Sequence, residues 1–298
     1  MSVTIKPPTV NTAMIEFLDA VSRHTFMQHA LLTGVLASVA CGVLGTYVVV
    51  RRISYLAGAI AHSVLGGMGL AYYLKTVKGV YWLEPLHGAL VAALVAAVVI
   101  GLVNLHAKER EDTVIGAIWA VGMAAGILFI SQTPGYSENL MSYLFGNILM
   151  VSAGDLWLIG ILDGLVVLAG LLFYNQIAAV CFDEEFARVR GVKVELYYLL
   201  LLGLTALTVV ILSTVVGIVM VIALLTLPVA IVGQFSQTLW KMMISATLVC
   251  IVIMTSGLAI SFSPDLPAGA TIIILAGVVY LVVVIVTRLY RKLRPNRS

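Results

Sequence analysis

Gln28-His-Ala-Leu-Leu-Thr-Gly-Val-Leu-Ala-Ser-Val-Ala-Cys-Gly-Val-Leu-Gly-Thr-Tyr-Val-Val-Val50 runs without a formal charge, and Arg51-Arg52 closes it. An α-helix rises about 1.5 Å per residue, so roughly 20 apolar residues cross the ~30 Å hydrocarbon slab of a bilayer. The run is long enough to cross, and its arginine pair marks the end that stays in water. Similar runs sit near 56–74, 85–104, 113–131, 155–174, 197–213, 216–235, 240–262 and 269–287, which makes nine candidate spans. Two of them would meet in a tight turn at Ser213–Gly217; a broken or re-entrant helix there reduces the count to eight. Only 10% of the 298 residues are charged and 61% are hydrophobic, too few charges to cover a water-soluble domain of this size. The expected fold is all-α, a polytopic membrane bundle of eight to nine helices.

The charges orient it. Arg51, Arg52, Lys108, Arg110, Arg188, Arg190, Lys193, Lys241, Arg288, Arg291, Lys292, Arg294 and Arg297 lie on one set of alternate breaks. Lys6, Arg23, Lys75 and Lys78 are the remainder of the 17 Lys and Arg. The positive-inside rule then predicts an outside N-terminus, a cytoplasmic C-terminus and an odd number of spans, which favours nine. Residues 1–27 form an outer interfacial segment, 28–287 the membrane domain, and 288–298 a basic cytoplasmic tail. Within 12–30, Met14, Ile15, Leu18, Val21 and Phe26 alternate with Glu16, Asp19 and Arg23 as in a short amphipathic helix on the outer interface. No cleavable signal peptide is visible.

Other classes fall away. The net charge of +3 is explained by inner-face anchoring, and no basic-aromatic patch suggests nucleic acid. Cys41, Cys181 and Cys250 suggest no disulfide framework. There is no GxxxxGK[ST] loop, no His-x-x-x-His or Cys-x-x-Cys pair and no Gly-x-Ser-x-Gly elbow, so neither a built-in ATPase nor a paired nucleophile and base is expected. A chain that is nearly all membrane and carries no catalytic loop reads as a transport component rather than an enzyme.

Three places depart from a bland bundle. In Ser54–Gly69, Gly58, His62 and Gly66 share a helix face, with Ala59, Ser63 and Gly67 beside it. Small faces let backbones approach, and an imidazole among them is either a packing hydrogen-bonder or a neutral ligand offered to a passing transition-metal ion. Asp163 lies near the middle of its span, where a carboxylate costs about 3 kcal/mol, so it requires a partner, a cavity or a proton. Phe182-Asp-Glu-Glu-Phe-Ala-Arg-Val-Arg-Gly191 reads as a short self-capped helix. Asp183 serves as N-cap, Glu184 and Glu185 fill the first turn, Arg188 and Arg190 the last, and Gly191 the left-handed C-cap. Phe182, Phe186 and Val189 then form an apolar ridge, which either lies on the membrane interface or seats in a groove of a cytoplasmic partner.

The run Val49-Val-Arg-Arg-Ile-Ser-Tyr-Leu-Ala-Gly-Ala-Ile-Ala-His-Ser-Val-Leu-Gly66 resembles the first cytoplasmic turn of the zinc/manganese/iron ABC permeases, the ABC-3 family. Leu140–Leu149, Leu224-Leu-Thr-Leu-Pro-Val-Ala230 and Leu266-Pro-Ala-Gly269 resemble that family too, and 182–194 resembles its coupling segment. The resemblance extends in order from about residue 28 to 285. It implies a homodimer forming one pathway, two cytoplasmic ATP-binding subunits below it and an extracytoplasmic metal-binding protein above it, in a bacterial-type inner membrane. The transported divalent metal is the cargo, and no permanently bound cofactor is implied. The coupling residues carried over are Asp183, Glu184, Phe186, Val189 and Gly191.

One position departs from the family. Many members place an aspartate four residues before the histidine matching His62, and here Gly58 stands there. That puts the metal site in doubt or moves its acid elsewhere, with Asp163 a candidate. From the helix rise, His62 and Asp163 differ in depth by about 8 Å, which permits direct co-ligation without favouring it. At the outer rim, Glu84 and His87 share a face and Asp265 precedes the Pro-Ala-Gly turn; they form a candidate vestibule for a cation, or are ordinary solvated loop residues. The alternatives are a permease of similar architecture for a metal chelate or vitamin, and an ATP-independent secondary transporter.

Overall fold

The computed structural model of the chain describes residues 10–106, 111–134, 145–262, 264 and 266–293. The helices are α1 (Val10–Arg23), α2 (Thr25–Val50), α3 (Ser54–Val77), α4 (Pro85–His106) and α5 (Glu111–Ser131), then a 3-10 turn at Ile148–Met150. After it come α6 (Ala153–Leu172), α7 (Tyr174–Phe182), α8 (Glu184–Val189), α9 (Val194–Val216), α10 (Ile218–Val232), α11 (Leu239–Phe262) and α12 (Ala268–Leu293).

Among the described residues, seven helices are long and apolar enough to cross a membrane: α2, α4, α5, α6, α9, α11 and α12. The other two expected spans are also helices. The α3 helix has ample length at 24 residues but carries glycines, His62 and Ser63 in place of bulky apolar side chains. At 15 residues, α10 reaches only about 22 Å, short of the slab. Nine is therefore an approximate count. The turn at Ser213–Gly217 is a helix break: Gly217 (φ +84°, ψ 153°) ends α9 and begins α10, a conformation that favours glycine.

The N-terminal segment differs from the expected single interfacial helix over 12–30. The chain breaks at His24, whose extended backbone (φ −116°, ψ 119°) separates α1 from α2. Part of α1 is held by the bundle: Phe17 and Ala20 are buried, and Phe17 meets Phe262 edge-on at 6.0 Å between centroids. Leu18 is exposed, and Asp19 pairs with Arg23 across one turn at 2.8 Å.

The core is organised around α2, which packs against α11, α10 and α6. Methyl groups built on Gly42 and Gly45 would collide with Thr247 of α11 and the Leu225 carbonyl of α10, so both glycines are needed for this approach. At its basic end α2 closes with the Ile53 amide bonded to the Val48 carbonyl (2.9 Å), a six-residue closure with Arg52 left-handed at φ 63°. On the other side, α3 lies between α4 and α5 on a glycine seam. A methyl on Gly66 would come within 2.8 Å of the Gly122 carbonyl oxygen, one on Gly69 within 2.7 Å of the Gly126 oxygen, and Gly67 and Gly88 meet backbone to backbone.

At the opposite end from Arg51, three connections converge. The Asn147 amide donates to the Val215 carbonyl (3.2 Å), Gly146 (φ +71°) abuts the Val216–Gly217 corner, and Gly269 abuts the Phe145 carbonyl. Ser152 and Asp155 cap α6 reciprocally there, a capping box that satisfies two otherwise orphaned amides.

Candidate functional site

His62 projects from α3 toward α5 and stacks on Trp119, with ring centroids 4.4 Å apart and planes 9° from parallel. It is half-buried. Its expected face divides: Gly66 packs on α5, Gly67 on α4, and Gly58 is buried but would meet nothing within 4 Å if it bore a methyl. Space for a side chain therefore exists one turn below His62, where this chain has none.

Asp163 is 6% exposed, and neither carboxylate oxygen has a hydrogen-bond partner among the described residues. Its helix packs on α2 and α9, whereas α3 packs chiefly on α5 and α4. The two sequence-predicted path residues thus stand on helices whose main packing partners differ, with α9 packing on both. Among the described residues no group of three or more His, Cys, Asp and Glu is placed to hold a metal ion. Cys41, Cys181 and Cys250 are all free and buried. Burial pushes the Cys181 thiol, at the basic end, up to about 12, so it is protonated and unreactive at neutral pH.

At the vestibule, Glu84 pairs with Lys75 (2.7 Å), an ion pair that links the end of α3 to the start of α4. His87 Nδ1 accepts the Glu84 backbone amide at 3.2 Å, so any proton on a neutral ring sits on Nε2. His87 also lines a cleft of about 730 Å3 between α3, α4 and α5. Asp265 lies outside the described residues, as does Leu140–Leu144 of the run at 140–149.

The segment 182–194 folds as its residues specify. The Asp183 carboxylate accepts the Phe186 amide at 2.9 Å and caps α8. Gly191 takes the left-handed φ of +78° just past the helix. Ala187 is fully buried and faces the bundle, while Phe182, Phe186 and Val189 are 68, 51 and 88% exposed. Two ion pairs tie the knob to the bundle, and two cation–π contacts accompany them. Arg51, at the end of α2, pairs with Glu184 and lies over the Tyr198 ring at 5.5 Å. Arg188 reaches Glu195 at 3.0 Å, and the Arg190 guanidinium sits 4.9 Å from the Phe186 ring centroid. Sequence reasoning missed α7, which fills half of what looked like a loop, and Trp119, whose spacing of three from Gly122 was the available signal.

A many-spanning helical bundle interrupted by one rigid, outward-facing apolar knob is the architecture of a transport permease. The chain belongs to the ABC 3 transport family, which matches residues 23–287. It is 41% identical over 260 residues to a Chlamydia pneumoniae protein named "Probable metal transport system membrane protein", covering 87% of this chain and 88% of that one. It is 33% identical over 267 residues to the manganese transport system membrane protein MntC of Listeria monocytogenes, covering 89% and 92%. The solved structure of PsaBC from Streptococcus pneumoniae in complex with Fab superposes with a TM-score of 0.82 at 28% identity, over 95% of this chain and all of that one.

Proposed function

We propose that this permease is the membrane subunit of an ATP-driven importer for a divalent transition metal, with manganese first among zinc, manganese and iron. Two copies form the pathway in a bacterial-type inner membrane, with N-termini outside and C-termini cytoplasmic. Cytoplasmic ATP-binding subunits seat the α8 knob, and an extracytoplasmic metal-binding protein delivers the ion. The metal is cargo, and the permease needs no resident cofactor. His62 offers its imidazole along the path, Asp163 is a second polar station, and Glu84, His87 and Asp265 receive the ion outside.

The observation that carries this reading is the knob. Val189 and Phe186 stand exposed on a helix whose cap, ion pair and buried Ala187 leave it little freedom. An apolar ridge ordered this well and left exposed is made to be covered. Manganese leads because one relative named above bears manganese transport in its name, and the other bears metal transport.

The test is metal-isotope uptake in cells expressing the chain with a cytoplasmic ATPase and a secreted metal-binding protein. Uptake should stop on ATP depletion and persist when the proton gradient is dissipated. The opposite pattern supports a secondary transporter, and uptake of a chelate without bare ions supports the chelate or vitamin reading.

A further inference from the structure

At the basic end, α10 turns into α11 through 233–238 and leaves a recess of about 490 Å3. Val49 and Val50, which precede Arg51, pack on the Val229, Val232, Met242 and Ala246 cluster, so this recess opens at the same end as the arginine pair. Its rim is polar: Ser236, Gln237, Lys241 and Ser245. Ile231 and Val249 form its floor, and the same two residues begin a second groove of about 370 Å3. That groove continues between α10, α11 and α12 past Leu248, Val252, Leu275 and Val279 to Ser256.

We infer that the paired recess and groove form a binding site for one acidic phospholipid, with its phosphate head at Lys241 and an acyl chain in the groove. Charge is the first argument. Lys241 is exposed on the rim and has no carboxylate within ion-pair distance among the described residues. Depth is the second. Lys241 to Leu248 spans about 10 Å of helix, and Leu248 to Ser256 about 12 Å. A single leaflet contributes about 15 Å of hydrocarbon. With Lys241 at headgroup depth, Ser256 lies about 22 Å further along the helix, so the apolar groove runs through the hydrocarbon of that leaflet and ends near the bilayer midplane. Trp240, also exposed, stands beside Lys241 where an interfacial aromatic anchor belongs. A protein partner would leave the groove's inward half, on the membrane side of the rim, without an occupant; a lipid fills both halves. The inference rests on the chain spanning a bilayer and is independent of its cargo.

The test uses the full chain carrying Val252→Trp in vesicles, with quenching of that groove tryptophan by phospholipids brominated on the acyl chain. The chain without that substitution supplies the background from the native tryptophans. Brominated phosphatidylglycerol should quench about fivefold more effectively than brominated phosphatidylcholine, as expected for one basic residue at an anionic headgroup. Lys241→Gln, an exposed change, should reduce the ratio to one. Ser256→Phe, which fills the far end of the groove, should weaken quenching by both lipids while helicity is unchanged. Equal quenching by the two lipids in the parent overturns the inference. So does displacement of the lipid by inorganic phosphate, which would make the recess a soluble-anion site. Cross-linking of Val252→Cys to a second copy would assign the groove to the dimer and equally overturn it.

Discussion

Replacing Val189 with aspartate tests the knob most directly. Val189 is 88% exposed, so the isolated permease should lose no more than about 0.5 kcal/mol of stability. In a complex the same position would be covered. Burying a valine contributes about 1.5–3 kcal/mol, and a carboxylate stranded in its place costs at least as much again. A loss of about 3 kcal/mol is about two decades of affinity for whatever seats the knob. Two neighbours serve as controls on the same short helix. Ala187 is fully buried, so Ala187→Asp should fail at insertion or folding. Asp183→Ala removes the cap and should cost about 1 kcal/mol, recovered largely by Asp183→Asn. The assay pairs co-purification of the ATPase with metal uptake in membranes matched for permease content. Val189→Asp should insert normally, release the ATPase and abolish uptake. Full uptake with undiminished ATPase binding would refute the docking argument.

His62→Ala removes a ring stacked 4.4 Å from Trp119 and should reduce uptake at least tenfold while ATPase binding persists; parental uptake makes the imidazole a packing residue. Asp163→Asn retains the shape without the charge, so parental uptake in that variant identifies a structural role, and a large loss identifies a charge required in transport. Gly122→Val, whose first added carbon already lies 2.7 Å from the Ser63 backbone, should separate α3 from α5 and lower the melting temperature by several degrees, read by thermal inactivation. A reporter fused after Ser298 should be active only as a cytoplasmic reporter; extracytoplasmic activity means one crossing is misplaced.

The spans were legible because the bilayer imposes one rule on every crossing helix, and that rule is written in each run separately. The α8 knob was legible for a similar reason: cap, dipole complement and left-handed glycine are all local, from Asp183 to Gly191. The site residues were less so. Glu84 read as a candidate vestibule acid or an ordinary solvated loop residue; its pairing with Lys75, nine residues earlier, was not foreseen. His62 read as either a packing residue or a ligand on a glycine face; its stacking on Trp119 depends on which helix lies opposite.

By itself the sequence determined a helical membrane bundle, the approximate number and position of its helices, and the short capped helix between α7 and α9. Only the tertiary structure decided which helices touch. It placed α3 between α4 and α5 and brought Gly146, Gly217 and Gly269 to one end. The physical reason is that lipid tails are as apolar as leucine, so hydrophobicity sends a helix into the membrane without choosing its neighbour. That choice belongs to shape: where one helix carries glycines, another backbone fits, and both must be folded before the fit exists.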